Sequence, residues 1–132
     1  ILKIMEIGLE LIIIHESIIK KENTENIVSI ISLLKKRSPL AIFSESNSDI
    51  EPYLEDLNIS EHFKLISNNL KEIITQSDLN PNGIVLISDS LEDLNKSKNS
   101  GINFIAVEGQ NSKEDFNNAG CFIVLNSITD LT

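Results

Sequence analysis

A short apolar run, Ile84 to Ile87, ends abruptly at Ser88-Asp89, and a second acid, Asp93, follows four residues later. An apolar run of this length between turn-forming residues is typical of a strand that is buried on both faces. The next residues predict the start of a helix. We therefore expect Asp89 at the carboxyl end of a central strand, where open α/β sheets bind ligands, and Asp93 on the same side. Two carboxylates at this place suit a hard divalent cation such as Mg²⁺.

Strand-like and helix-like segments alternate along the rest of the chain. Thr24 is expected to cap the first clear amphipathic helix, and Gly101 to end a later one. The predicted strands are 9–14, 40–43, 63–66, 84–87, 103–107 and 122–125, and the predicted helices are 24–36, 48–57, 70–76, 91–99 and 113–118. This alternation predicts one domain over residues 1–132, with the three-layer α/β/α, Rossmann-like architecture and a mostly parallel sheet.

Composition excludes several classes of partner. The net charge of −9 argues against binding to nucleic acid or to anionic membranes. Residues 1–19 are apolar but are interrupted by charged side chains, so they predict neither a spanning helix nor a signal peptide. The single cysteine, Cys121, excludes an internal disulfide and fits a reducing, cytoplasmic location.

The order of these motifs resembles the haloacid dehalogenase-like (HAD) superfamily, in particular the core of its phosphoglycolate-phosphatase-like members, from about Asn26 to Leu131. In that family a strand ending in Ser or Thr forms the second motif, which Ser44 matches here. The third motif is a lysine, matched by Lys71, and the fourth is an acidic pair, matched by Asp89 and Asp93. The resemblance implies that Ser44 and Lys71 contact phosphate, that the two acids hold Mg²⁺, and that the substrate is a small phosphorylated metabolite.

The first motif of the family, Asp-x-Asp at the end of strand one, supplies the nucleophile and the general acid and base. Here the first predicted strand runs into His15-Glu16-Ser17, which places His15 at the nucleophile position and no Asp in the motif. Two explanations are open. The chain is a degenerate member that has lost phosphotransfer, or the motif lies upstream of Ile1 and residues 1–22 end a cap module.

Two functions follow from these explanations. The first is a non-catalytic HAD-like domain, without a cap, that acts as a binding or regulatory module for a metabolite or a protein partner. The alternative is a Mg²⁺-dependent phosphomonoester hydrolase with its nucleophile upstream. Each of these candidate residues could also have a purely structural role. Asp89 and Asp93 would then be acids at the start of a helix, Ser44 a turn residue and Lys71 a solvated lysine.

Overall fold

The protein is built around a six-stranded sheet in which every neighbouring pair of strands is parallel. The computed structural model describes residues 9–45 and 50–131. The strands are β1 (Leu11–His15), β2 (Leu40–Phe43), β3 (Phe63–Ser67), β4 (Ile84–Ser88), β5 (Asn103–Val107) and β6 (Val124–Leu125). Their order across the sheet is β3-β2-β1-β4-β5-β6. The chain thus winds outward from β1 in one direction and then crosses to the other side at β4.

Within residues 9–45 and 50–131, six α-helices connect these strands. They are α1 (Glu16–Lys21), α2 (Thr24–Lys35), α3 (Ile50–Asp56), α4 (Leu70–Ser77), α5 (Leu91–Ser100) and α6 (Lys113–Asn118), and short 3₁₀ turns lie at Ser60–His62, Pro81–Gly83 and Ile128–Leu131. Between β1 and β2 the described chain contains only α1, α2 and their turns, so no cap module is inserted there. No helix in the described part of the chain combines the length and the apolarity that crossing a bilayer requires.

Two apolar layers cover the two faces of the sheet. Alternate residues of β1 belong to different layers, Ile12 and Ile14 on one face and Leu11 and Ile13 on the other. This is what a central parallel strand requires, because its side chains point alternately to opposite faces and both faces are covered by helices. The predicted three-layer α/β/α arrangement with a parallel sheet is confirmed.

Most predicted elements have the expected type, and the differences have local causes. The sequence did not predict α1, because its six residues are too few to display a helical period. The expected cap Thr24 is the first helical residue instead, and the side chain of Asn23 accepts the N–H groups of Glu25 and Asn26. The last strand is shorter than expected, since only Val124–Leu125 pairs with β5. The predicted start of the helix 48–57 falls partly on 46–49, outside the described residues.

Candidate functional site

Polar side chains gather where β1, β2 and β4 end, at the edge of the sheet where the winding changes direction. His15 is the last residue of β1, Ser44 follows β2, and Asp89 follows β4. In an open α/β sheet this position forms the crevice in which ligands bind. All three residues are buried, with exposed fractions of 6%, 0% and 2% respectively.

Asp89 is held by hydrogen bonds and by one ammonium group. Its Oδ1 accepts from the Ser17 hydroxyl at 2.9 Å and from Nε2 of Gln110 at 3.0 Å. Its Oδ2 lies 3.4 Å from Nζ of Lys21 and accepts the backbone N–H of Gln110 at 3.4 Å. Both carboxylate oxygens therefore have protein partners, and Lys21 balances the charge.

Gly109 allows this arrangement because it has no side chain. A Cβ atom on Gly109 would lie 2.2 Å from Oδ2 of Asp89 and 2.5 Å from Nζ of Lys21. Both distances are far shorter than any real contact of a Cβ atom. The backbone of the loop after β5 can therefore pass directly over the ion pair only with glycine at this position.

Asp93 is as buried as Asp89 and has different partners. Its Oδ2 accepts from the Ser88 hydroxyl at 2.5 Å and lies 3.8 Å from Nε2 of His15. Its Oδ1 is buried and has no hydrogen-bond partner among the described residues, and Nζ of Lys96 is 3.9 Å away. Asp89 and Asp93 thus end on the same side of the sheet, as the sequence predicts, but bind separate sets of groups.

The His15 ring is hydrogen-bonded through both nitrogens. Its Nδ1 accepts the backbone N–H of Ser17 at 3.1 Å and so caps α1, and the Ser17 hydroxyl is 2.8 Å away. Its Nε2 is 2.9 Å from Oε1 of Glu45. With Nδ1 as acceptor, the assigned neutral tautomer carries its proton on Nε2 and donates it to Glu45. The ring also packs edge-on against Phe43, with centroids 5.4 Å apart.

Ser44 and Lys71, the two predicted phosphate contacts, lie in different surroundings. The Ser44 hydroxyl donates to Oε2 of Glu16, which comes directly after β1. Lys71, in the first turn of α4, lines a cavity of about 560 Å³. The other residues that line this cavity are Phe43, Asn68, Asn69, Leu70, Lys96, Asn99 and Ser100. Ser44 is not one of them.

Lys96 is a second cation beside the acids, and like Lys21 it is not among the predicted site residues. Its Nζ lies 3.2 Å from Glu92, 3.7 Å from Glu45 and 5.1 Å from the centre of the Phe43 ring. Burial lowers the pKa of Lys96, but the hydrogen bond to Glu92 and the charges of Glu45 and Asp93 raise it more, so the net shift is upward. The lysine is therefore charged at neutral pH.

One group of potential metal ligands is present among the described residues. Nε2 of His15 and carboxylate oxygens of Glu45 and Asp93 all lie within 4.8 Å of one another, and Asp89 is not in the group. The sequence placed His15 at the end of the first strand, at the nucleophile position rather than as a ligand, and it could have suggested Lys96, which is three residues after Asp93. Nothing in the sequence shows that Glu45 turns toward His15, since that contact depends on the pairing of β2 with β1.

Comparison with solved structures identifies the class of fold. The chain superposes on a HAD-like hydrolase from Streptococcus pneumoniae with a TM-score of 0.70, 17% identity and 80% of this chain covered. A protein assigned as a phosphoglycolate phosphatase from Lactobacillus delbrueckii subsp. bulgaricus gives 0.67, 20% identity and 80% coverage. A subfamily IA HAD hydrolase from Geobacter sulfurreducens gives 0.68, 10% identity and 93% coverage.

The α/β protein described above therefore has a HAD-like fold, and its core is like that of the phosphoglycolate-phosphatase-like members. The chain spans 56% and 50% of the length of the first two structures and 97% of the third. The sequence matches no protein-family model and no curated protein. The predicted superfamily resemblance is thus confirmed at the level of the fold.

Proposed function

We propose that this protein is a non-catalytic HAD-like module that binds a small phosphorylated metabolite and does not hydrolyse it. The observation that carries the proposal is the identity of the last residue of β1. In this fold the nucleophilic Asp follows strand one, and β1 ends at His15, whose two ring nitrogens are both hydrogen-bonded within the protein. An imidazole that caps a helix and donates to Glu45 is poorly placed to attack phosphorus.

Two other positions of the predicted site support the same proposal. The Ser44 hydroxyl is taken by the Glu16 carboxylate, and Asp89 is neutralised by Lys21. A phosphate dianion at the end of β1 would also face the buried carboxylates of Glu16 and Asp93. Bringing a dianion against several acids is unfavourable where the surroundings are desolvated.

The side chains at the end of β1 are not arranged to bind Mg²⁺ in the way expected for HAD phosphatases. Mg²⁺ requires an octahedral shell of oxygen atoms and usually keeps several waters. Both oxygens of Asp89 already have partners, and the ligand group that does converge contains the imidazole of His15. The magnesium site predicted at Asp89 and Asp93 therefore stays a prediction that belongs with the alternative function.

The cavity beside α4 is where we propose that the metabolite binds. Its volume of about 560 Å³ is in the range of small-molecule pockets. Lys71 and Lys96 supply positive charge, asparagine side chains supply hydrogen-bonding groups, and Phe43 and Leu70 supply apolar surface. We place the protein in the cytoplasm, because its one cysteine, Cys121, is free.

The alternative function is a Mg²⁺-dependent phosphatase whose Asp-x-Asp motif lies upstream of Ile1. The position of β1 argues against it. β1 lies between β2 and β4 and pairs with both, so the place that the nucleophile strand takes in this fold is filled by Leu11–His15. An upstream strand would have to displace β1, which buries all five of its residues.

A phosphatase assay tests the absence of catalysis. We expect p-nitrophenyl phosphate with Mg²⁺ to be hydrolysed no faster by the wild-type protein than by Asp89→Asn or Lys71→Ala, because no variant has a nucleophile. Circular dichroism establishes that both variants fold. Wild-type turnover that either substitution abolishes would overturn the proposal. Turnover only in the longest chain of the open reading frame would establish the alternative function.

Calorimetric titration of p-nitrophenyl phosphate tests the binding step. We expect Lys71→Ala to weaken binding by about 10-fold, since a charge-assisted contact to phosphate contributes about 1.5 kcal/mol. Lys113→Ala removes an equal charge outside the cavity and is the matched control. Equal affinity in wild-type and Lys71→Ala protein would place the ligand elsewhere and contradict the proposal.

A further inference from the structure

The end of β1 contains a set of potential metal ligands that the proposed function does not use. His15, Glu45 and Asp93 converge on one point from β1, from the turn after β2 and from the first turn of α5. Nε2 of His15 lies 2.9 Å from Oε1 of Glu45 and 3.8 Å from Oδ2 of Asp93. Two ligands of a tetrahedral Zn²⁺ ion are about 3.4 Å apart, which falls between these distances.

A second observation independently points to a missing ligand. Asp93 is 1% exposed, and its Oδ1 has no hydrogen-bond partner among the described residues; the nearest cation, Nζ of Lys96, lies 3.9 Å away, beyond hydrogen-bond distance. A buried carboxylate oxygen without a partner is costly, and such atoms commonly face an ion or a water. Ser88 fixes the other oxygen at 2.5 Å, so the carboxylate is held in place.

Charge distinguishes this group from Asp89. Asp89 has one ammonium group, Lys21, for one carboxylate, whereas Lys96 is shared by Glu45, Glu92 and Asp93. The second group is therefore negatively charged overall and attracts a further cation, and the first is balanced. A divalent ion would repel Lys96, whose closest partner is the largely exposed Glu92.

We propose that His15, Glu45 and Asp93 bind a borderline transition-metal cation of the Zn²⁺ class. One imidazole and two carboxylates suit Zn²⁺ or Co²⁺, and an imidazole ligand disfavours Mg²⁺. Three protein ligands leave one position of a tetrahedral shell for water.

The neighbours of His15 provide the support that a metal-bound histidine needs. When a cation replaces the Nε2 proton, that proton moves to Nδ1, and no proton is lost. Protonated Nδ1 no longer accepts the backbone N–H of Ser17, and it donates instead to the Ser17 hydroxyl at 2.8 Å, which itself donates to Oδ1 of Asp89 at 2.9 Å. A relay of this kind to a carboxylate fixes the ring orientation of metal-bound histidines. Metal binding here is independent of whether the domain binds or hydrolyses phosphoesters.

Titration of chelator-treated protein with Zn²⁺, Co²⁺ and Mg²⁺ tests the site. We expect one Zn²⁺ per chain and binding of Mg²⁺ weaker by at least about 100-fold, because the imidazole contributes little to a magnesium shell. His15→Gln should lower the Zn²⁺ affinity by at least about 10-fold and abolish the visible absorption of bound Co²⁺. His62→Gln removes the other histidine of the chain and should leave both unchanged.

Two further variants keep the test decisive if His15→Gln does not fold. Glu45 is half exposed, so Glu45→Gln should fold normally and lower the Zn²⁺ affinity by about 10-fold. Lys96→Gln removes the competing ammonium and should raise the affinity, an effect opposite in sign to that of a damaged fold. The proposal is overturned if Zn²⁺ does not bind, if binding is insensitive to both ligand substitutions, or if Lys96→Gln weakens it.

Discussion

The ammonium group of Lys21 lies 3.4 Å from Oδ2 of Asp89, a carboxylate whose side chain is 3% exposed. Lys21 is the last residue of α1, and Asp89 follows β4, so the contact ties the first helix to the centre of the sheet. The lysine also donates to the backbone oxygen of Glu108. One side chain thus connects the end of α1 to the ends of β4 and β5.

We expect Lys21→Met to lower the free energy of unfolding by about 1–3 kcal/mol. A buried carboxylate that loses its partner costs several kcal/mol, and we reduce this figure because the Lys21 side chain is 34% exposed. Denaturant unfolding measures the change. Lys20→Met, in the same helix, should cost no more than about 0.5 kcal/mol, as expected for an i,i+4 pair. If the double variant Lys21→Met/Asp89→Asn is no more stable than Lys21→Met, the unpaired charge of Asp89 is not the cause of the lost stability.

Gly109→Ala should destabilise the protein by about 1–3 kcal/mol, because the added methyl group would overlap Asp89 and Lys21. Gly83→Ala is the matched control. Its Cβ would approach only the side chain of Glu10, at 3.0 Å, which can move aside. Thermal unfolding of the two variants compares them directly. Equal melting temperatures would contradict the prediction, because they would show that the loop over the ion pair shifts to accommodate the methyl group.

Ser88→Ala should cost about 1–3 kcal/mol, since it removes the hydroxyl that donates to the buried Asp93 carboxylate. Ser97→Ala provides a control of the same chemistry. The Ser97 hydroxyl is equally buried but has no partner among the described residues, so its removal should leave stability nearly unchanged or raise it. The prediction is wrong if urea unfolding gives both variants the same midpoint.

Glu22 should make stability depend on pH. The hydrogen bond from Ser127 lowers the pKa of Glu22 below its ordinary value of 4.5, against an opposing effect of burial. A carboxyl group with a lowered folded-state pKa stabilises the protein above its unfolded pKa, and this contribution is lost as the pH falls through the folded value.

Glu22→Gln should therefore lower the free energy of unfolding by about 0.5 kcal/mol at neutral pH, a small value because the group is largely solvated. The difference from wild type should shrink toward zero as the pH is lowered through the acid range below 4.5. Unfolding curves across that range measure it, and a difference that stays constant would contradict the linkage.

The sequence predicted the strands and most helices because their apolar residues recur at regular spacing. β5 and α6 have the predicted bounds, and β4 extends one residue further than predicted. The helix α1 was not predicted, since its stability depends on Ile18 and Ile19 packing into the core rather than on a visible period. Local patterns identify elements, whereas short elements are decided by tertiary contacts.

The candidate site was predictable only where its residues end strands. His15 and Asp89 follow apolar runs, so the sequence places them at one edge of the sheet. Three other side chains reach the same place from neighbouring segments: Lys21, Glu45 and Lys96. Their contacts depend on the conformations that these long side chains adopt once the strands have paired. No spacing in the sequence encodes that choice.

The central position of β1 has a consequence for synthesis of the protein. β1 precedes β2 and β3 along the chain but pairs on one side with β4, which is made only after β2, β3 and their helices. Until β4 arrives, β1 presents an unpaired apolar edge, and pairings so distant along the chain form slowly. His15 acquires its neighbour Asp93 only at that step, so an assembled site marks a chain in which β1 is paired on both sides.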